Sequence, residues 1–309
     1  MRATRFSAEP SRQSLVVFSA NHMNSARNGT ANLQEYLEKN PRSVKDLAYT
    51  TGVRRERLPY RSFAVSDGSA PLEFTAPSRT PPTTPQVTFV FTGQGAQWAT
   101  MGIKLMEEFS SVEKDFENLD KALSQLPHPP SWSIAGELPL DPFLSLNLLT
   151  GIIDELLKPK EDSRLDQAEF SQPLCTAVQV VIVNLLRAWN ISPSRVIGHS
   201  SGELAAAYAS GSITAAEAII GAYYRGLVTK QQTRPGAMAA VGFGREDVAC
   251  FLTEGVTIAC ENSPESTTLS GDADKIDTVI AKIKESHPDV LARRLRVEMA
   301  YHSCEFYDF

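Results

Sequence analysis

Residues 198–202, Gly-His-Ser-Ser-Gly, form a G-x-S-x-G sequence between a short apolar run at 195–198 and a stretch of strong helix formers at 203–209. That setting suits a nucleophilic Ser200. A sharp strand-to-helix turn lifts the hydroxyl clear of the backbone, and the flanking glycines leave room for the turn. The helix that follows offers N–H donors and the positive end of its dipole to a developing oxyanion. The alternative is an ordinary glycine-rich turn, because the pattern recurs by chance.

A serine nucleophile needs a base. The chain has histidines at 22, 128, 199, 287 and 302. His22 falls in an N-terminal module, His128 in a proline-rich loop, and His287 at a helix end before Pro288. His199 adjoins the nucleophile, so its side chain is expected to point elsewhere and serve packing or polar support. His302 follows the last predicted strand, where the chain returns to the larger unit. It is the choice for the base; an exposed loop histidine is the alternative. Arg225 lies in Tyr-Tyr-Arg-Gly (223–226), with Gly221, Ala222 and Val228 as helical neighbours. A guanidinium on that small, mostly apolar face needs a partner. The carboxylate of an acyl substrate would match its planar fork, and an internal ion pair would also serve. The turn at 93–97, Gly-Gln-Gly-Ala-Gln, is neither G-x-G-x-x-G nor a Walker loop, which leaves a phosphate cradle poorly supported. A backbone N–H at Gln94, facing the Ser200 elbow, is a better use of it.

The elements that must hold these residues come from 309 residues, 42% hydrophobic and 21% charged, enough for about two domains. Cysteines at 175, 250, 260 and 304 show no C-x-x-C or metal spacing, so no metal site and a reduced, cytoplasmic chain are expected. No apolar run reaches a membrane span, and the start lacks a secretory apolar region; no membrane partner is expected. The formal charge of −6 argues against nucleic acid. Residues 1–80 carry 12 Arg/Lys against 7 Asp/Glu, net +5, and the remainder 18 against 29, net −11, which predicts two units with different surfaces.

Strands at 15–20 and 61–66 with helices at 31–39 and 44–49 predict a small α+β module. Residues 76–86 hold four prolines and read as a linker. The run at 87–91 reads as a parallel strand buried on both faces. A core helix is expected at 177–189, with Ser171 and Pro173 as start signals, and another at 214–232, opened by a capping box of Thr214 and Glu217. Strands at 237–243, 256–260, 267–270 and 295–297 alternate with helices at 246–252 and 274–285, the βαββαβ order of a ferredoxin-like unit. Residues 135–151 fit no element and interrupt two segments that would otherwise join.

Together, 93–98 (GQGAQW), 170–180 (FSQPLCTAVQV), 198–203 (GHSSGE), 223–226 (YYRG), 236–242 (GAMAAVG), 262–272 (NSPESTTLSGD) and 300–303 (AYHS) resemble the acyltransferase domain of polyketide synthases. The resemblance is to the highly reducing fungal iterative type, and residues 15–67 resemble the linker that precedes this domain after the ketosynthase. It implies an α/β-hydrolase-like large subdomain (87–235 and 299–309) with an inserted ferredoxin-like subdomain (236–298). A linker module at 1–76 and a proline-rich linker at 77–86 would precede them. It implies Ser200 as nucleophile, His302 as general base, the N–H groups of Gln94 and Ser201 as oxyanion donors, and Arg225 on a malonyl carboxylate. Gln172, His199, Asn262 and Tyr301 would line the substrate site. No bound cofactor is implied. Malonyl-CoA would be the donor, the phosphopantetheine thiol of an acyl carrier protein the acceptor, and other synthase domains such as the ketosynthase the partners. The residues ahead of the histidine, Met299-Ala300-Tyr301, are similar to malonyl-selective members.

Two departures accompany the resemblance. The matching ends at Ser303, so a truncated domain is expected, and 135–151 is foreign to the family. Translated intron is one explanation for both segments and divergence is the other. A catalytically inactive fragment or interaction remnant is therefore the second reading. A serine esterase or thioesterase is the third, with Asp247, Asp272 or Asp274 as its acid.

Overall fold

The computed structural model describes residues 13–68, 70–132, 152–231, 235–295, 297 and 299–303, with the backbone alone at 42, 153 and 154. The anomalous segment 135–151 and the tail 304–309 lie outside the described residues. The chain divides into two compact units, Met1–Leu165 with Pro173–Ala222, and Asp166–Gln172 with Tyr223–Phe309. The insert predicted at 236–298 falls inside the second.

In the first unit, β1 (Ser14–Ala20) pairs antiparallel with β2 (Tyr60–Ser66) under α1 (Met23–Lys39) and α2 (Val44–Val53). Val16, Leu37, Val44, Ala64 and Leu72 form its core. Helix α1 starts eight residues before the predicted 31. Asn24, Asn28, Gly29 and Thr30 are weak helix formers, but Gly29 lets the helix lie on Phe18: a Cβ there would sit 2.2 Å from the ring. The predicted linker is not wholly irregular, since β3 (Ser78–Arg79) pairs with the start of β2.

Farther along the same unit, β4 (Thr88–Phe91) pairs in parallel with β5 (Arg195–Gly198). Phe91 packs with Val183, Ala205, Ala206 and Ala209. The opposite face corrects the expectation of burial on both sides: Val90 is 67% exposed and Ile197 57%. Alternation places them on the face that no described residue covers. Short α3 (Ile103–Glu108), α4 (Ser110–Ser124) and α5 (Ile152–Leu157) precede α6 (Ala168–Ala188). Helix α6 begins nine residues before the predicted 177, so Ser171 and Pro173 are interior positions rather than start signals. The buried row Phe170, Leu174, Ala177 and Val181 runs straight through that stretch, and its burial outweighs the one backbone hydrogen bond the proline forgoes. By length and composition α6 could cross a membrane, yet 72% of its apolar window is buried inside the protein, as a core helix requires. After α7 (Gly202–Ser210) comes α8 (Ala215–Gln231), whose capping box forms as predicted. Thr214 N–H donates to Glu217 Oε2 at 2.7 Å and Glu217 N–H to Thr214 Oγ1 at 3.1 Å, holding the Glu217 carboxyl below its ordinary pKa.

The second unit carries β6 (Gly236–Val241), α9 (Arg245–Ala249), β7 (Val256–Ser263), β8 (Ser266–Asp272), α10 (Ala273–Ser286) and β9 (Ala292–Arg294). The antiparallel sheet has the order β7-β8-β6-β9, the ferredoxin-like arrangement predicted. Ile276, Val279 and Ile283 of α10 seal its core against Ala237, Ala239 and Leu269. The last strand lies at Ala292–Arg294 rather than 295–297. Leu295 and Val297 instead pack on the cluster of Met238, Met299 and Tyr301.

Ile276→Ala should destabilise this unit by about 2–5 kcal/mol, the cost of a cavity at a fully buried site, in urea unfolding; the exposed Lys282→Ala should change it by less than about 0.5 kcal/mol. Burial pushes the Cys175 thiol up to about 11, while Cys250 is exposed. Peptide mapping after iodoacetamide treatment at about pH 8 should find Cys250 alkylated in the native protein and Cys175 only after unfolding.

Candidate active site

The elbow is built in the first unit. Strand β5 turns into α7 through Ser200, whose φ of 54° places a non-glycine residue in the left-handed region. What holds it there is close backbone packing. A Cβ on Gly198 would lie 2.4 Å from Glu203 Cα, and one on Gly202 would lie 2.4 Å from the Phe91 carbonyl oxygen. His199 N–H donates to that carbonyl at 2.9 Å, and Gly202 N–H to His199 O at 2.9 Å. The turn after β4 lies against the same elbow, since a Cβ on Gly93 would meet His199 O at 2.7 Å and Ser200 Cβ at 3.1 Å. Gly95 takes φ 115°, and its N–H donates to Gln97 Oε1 at 2.7 Å. Gln179 on α6, unremarked in the sequence, donates from Nε2 to Thr92 O at 2.8 Å and fixes the turn's start.

The structure thus sets the turn that carries Gln94 against Ser200 and Ser201. Among the described residues no backbone hydrogen bond uses the N–H of Gln94 or Ser201. Ser201 is buried, and its hydroxyl finds no acceptor. His199, expected to serve packing or polar support, is exposed, which sets aside the packing alternative.

The second unit gathers Gln172, Arg225 and Tyr301. Arg225 Nη1 donates to Gln172 Oε1 at 2.8 Å, and its guanidinium lies 5.9 Å from the centre of the Tyr301 ring. Gln172 is fully buried, and its Nε2 is left without a partner in hydrogen-bonding geometry. Burial raises the Tyr301 phenol above its ordinary pKa; Thr229, Arg225 and Gln172 beside it pull the other way. Thr229, a turn along α8 and buried, was not legible as a site residue. Its hydroxyl donates to Arg225 O at 2.9 Å. Gly226 makes the cluster possible, because a Cβ there would lie 2.6 Å from Ala168 O; α8 and the start of α6 touch backbone to backbone. Lys230 and Glu169 pair at 2.8 Å one turn farther on.

His302 has φ 59° and is half-buried. Its segment is pinned by buried Ser303, whose hydroxyl donates to Ala300 O at 2.7 Å, and by Gly236, where a Cβ would lie 2.4 Å from Ala300 N. Asn262 stands apart, exposed on β7 and donating to Thr268 Oγ1 at 3.0 Å. Among the described residues no group of His, Cys, Asp and Glu could hold a metal ion.

The family model described as Acyl transferase domain matches residues 88–308. The chain belongs to the acyl transferase domain family. A second model, described as CurL-like, PKS C-terminal, matches residues 14–72. The acyltransferase chain is 84% identical over 308 residues to the highly reducing polyketide synthase g433 of a Fusarium species, covering all of this chain and 12% of that protein. It is 50% identical over 292 residues to the highly reducing polyketide synthase gloL of Glarea lozoyensis, covering 94% of this chain and 11% of that one. The chain therefore spans about one eighth of the length of these relatives. Among solved structures, the acyltransferase domain from module 8 of the salinomycin polyketide synthase superposes with TM-score 0.72 at 24% identity, covering 95% of this chain and 68% of that one. The malonyl CoA-acyl carrier protein transacylase of Coxiella burnetii gives TM-score 0.58 at 25% identity, covering 72% and 65%. The α/β-hydrolase-like and ferredoxin-like subdomains are the fold of this acyltransferase.

Gly226→Val should force α8 from α6 and cost about 1–3 kcal/mol of stability by overpacking. Gly221→Ala should be nearly neutral, since its Cβ would meet only the flexible Leu204 side chain at 3.2 Å. Thermal unfolding of the two variants checks the contrast.

Proposed function

We propose that this acyltransferase moves a malonyl group from malonyl-CoA, through an ester on Ser200, to the phosphopantetheine thiol of an acyl carrier protein in polyketide synthesis. The observation that supports the reading is the left-handed Ser200, packed against the turn that carries Gln94; among the described residues no backbone hydrogen bond uses the N–H of Gln94 or Ser201.

Ser200 Oγ attacks the thioester carbonyl while His302, the base by family resemblance, accepts the hydroxyl proton. Negative charge gathers on the carbonyl oxygen, where the Gln94 and Ser201 N–H groups meet it. The C–S bond breaks, and coenzyme A leaves as the thiol with the proton His302 held. The carrier thiol then attacks the ester, gives its proton to His302, and the C–O bond breaks to regenerate Ser200. Arg225 is assigned the malonyl carboxylate. Gln172 accepts from its Nη1 and fixes the plane of the guanidinium, the planar group that a carboxylate prefers. A neutral Tyr301 phenol beside it adds no competing charge.

The carrier protein, the ketosynthase and a cytoplasmic setting are proposed on the same resemblance. A hydrolase reading has less support: Asp272 is paired with Lys275 at 2.9 Å, and Asp274 sits in the first turn of α10. The inactive-remnant reading predicts soluble protein that transfers nothing.

Arg225→Ala should lower kcat/KM for transfer from malonyl-CoA to a carrier protein by about 10–100-fold, the worth of a charged hydrogen bond. Transfer from acetyl-CoA should change by less than about threefold. Equal losses on both donors would remove Arg225 from carboxylate recognition.

A further inference from the structure

The first unit contains a hollow, remote in sequence from the elbow, of about 490 Å³ lined by Arg57, Pro59, Arg61, Arg79, Thr80, Pro81 and Pro82. Arg57, Arg61 and Arg79 all line it, and among the described residues no carboxylate forms an ion pair with any of them. The hollow is built from the fold. Thr80 N–H donates to Pro59 O at 2.7 Å, and the β2–β3 pairing sets Tyr60 opposite Arg79 and Arg61 opposite Ser78. These bonds tie the two lips together, and three prolines stiffen them.

Two of the guanidiniums are held on their inner side. Arg57 Nη2 donates to Gly52 O at 2.6 Å, and Arg61 Nε to Leu58 O at 3.1 Å. Each keeps further N–H donors for a ligand, and the tether lowers the entropy lost on binding. The Arg79 guanidinium donates to no described group. Three like charges around one hollow repel unless an anion sits among them. A carboxylate brings one negative charge, whereas a phosphate monoester brings about 1.5–2 and three acceptor oxygens.

We propose that this hollow binds a phosphate dianion or diphosphate group. The ligand offers its oxygens to Arg57, Arg61 and Arg79, and its binding does not depend on Ser200 chemistry.

Isothermal titration of the full chain with pyrophosphate at about 50 mM NaCl tests this, since salt screens such contacts. Saturable binding that weakens about tenfold or more in Arg79→Ala is expected. The Arg79 guanidinium bonds to no other described group and alanine keeps the backbone pairing of β3, so its loss should leave thermal unfolding unchanged. Arg57→Ala provides a second variant with the same expected direction. Adenosine diphosphate, titrated in parallel, separates the sources: tighter binding than pyrophosphate assigns an organic diphosphate, equal binding an inorganic one, and either supports the site. No saturable binding to the parent, or equal affinity in parent and both variants, overturns it.

Discussion

Backbone packed directly on backbone at Gly198 and Gly202 is the constraint on which the rest of the elbow depends. With Glu203 Cα and Phe91 O each 2.4 Å from where a Cβ would sit, β4, β5 and α7 pack backbone on backbone around the turn at Ser200. The strained φ of 54° is the consequence, and it sets the hydroxyl and the next N–H together at the head of a helix. Gly93 extends the constraint to the neighbouring loop, which carries Gln94. Three residues without side chains thus position one hydroxyl and two donors.

The same device recurs in the second unit. Gly226 lets α8 touch the start of α6, which puts Arg225 within hydrogen-bonding distance of Gln172, and Gly236 lets the segment bearing Tyr301 and His302 lie on β6. In each case the polar contact exists because a steric one has been removed. Rigid backbone contacts hold polar side chains more tightly than surface loops would, and pre-organisation of this kind is what transition-state stabilisation requires.

How much of this was legible follows from where the information sits. The elbow could be read because its geometry is local: Gly-His-Ser-Ser-Gly encodes a turn wherever a strand meets a helix. The capping box at Thr214 and the order of the ferredoxin-like unit were legible for the same reason. Arg225 could be singled out by its apolar neighbours, yet its bond to Gln172 spans 53 residues and no spacing rule reaches it. Thr229 gave no signal, because a threonine in a helix ordinarily back-bonds to its own turn. The early starts of α1 and α6 were missed because Gly29 and Pro173 argue locally against a helix that tertiary burial imposes. Val90 was misjudged since an apolar run does not say which face another element covers.

Acylation of Ser200 by the dicarboxylic donor is the central step, and intact-protein mass after brief exposure to malonyl-CoA tests it most directly. A single malonyl-sized adduct on the parent, absent from Ser200→Ala, is the predicted result. Soluble, folded parent protein that gains no adduct, or an adduct that persists in Ser200→Ala, would contradict it.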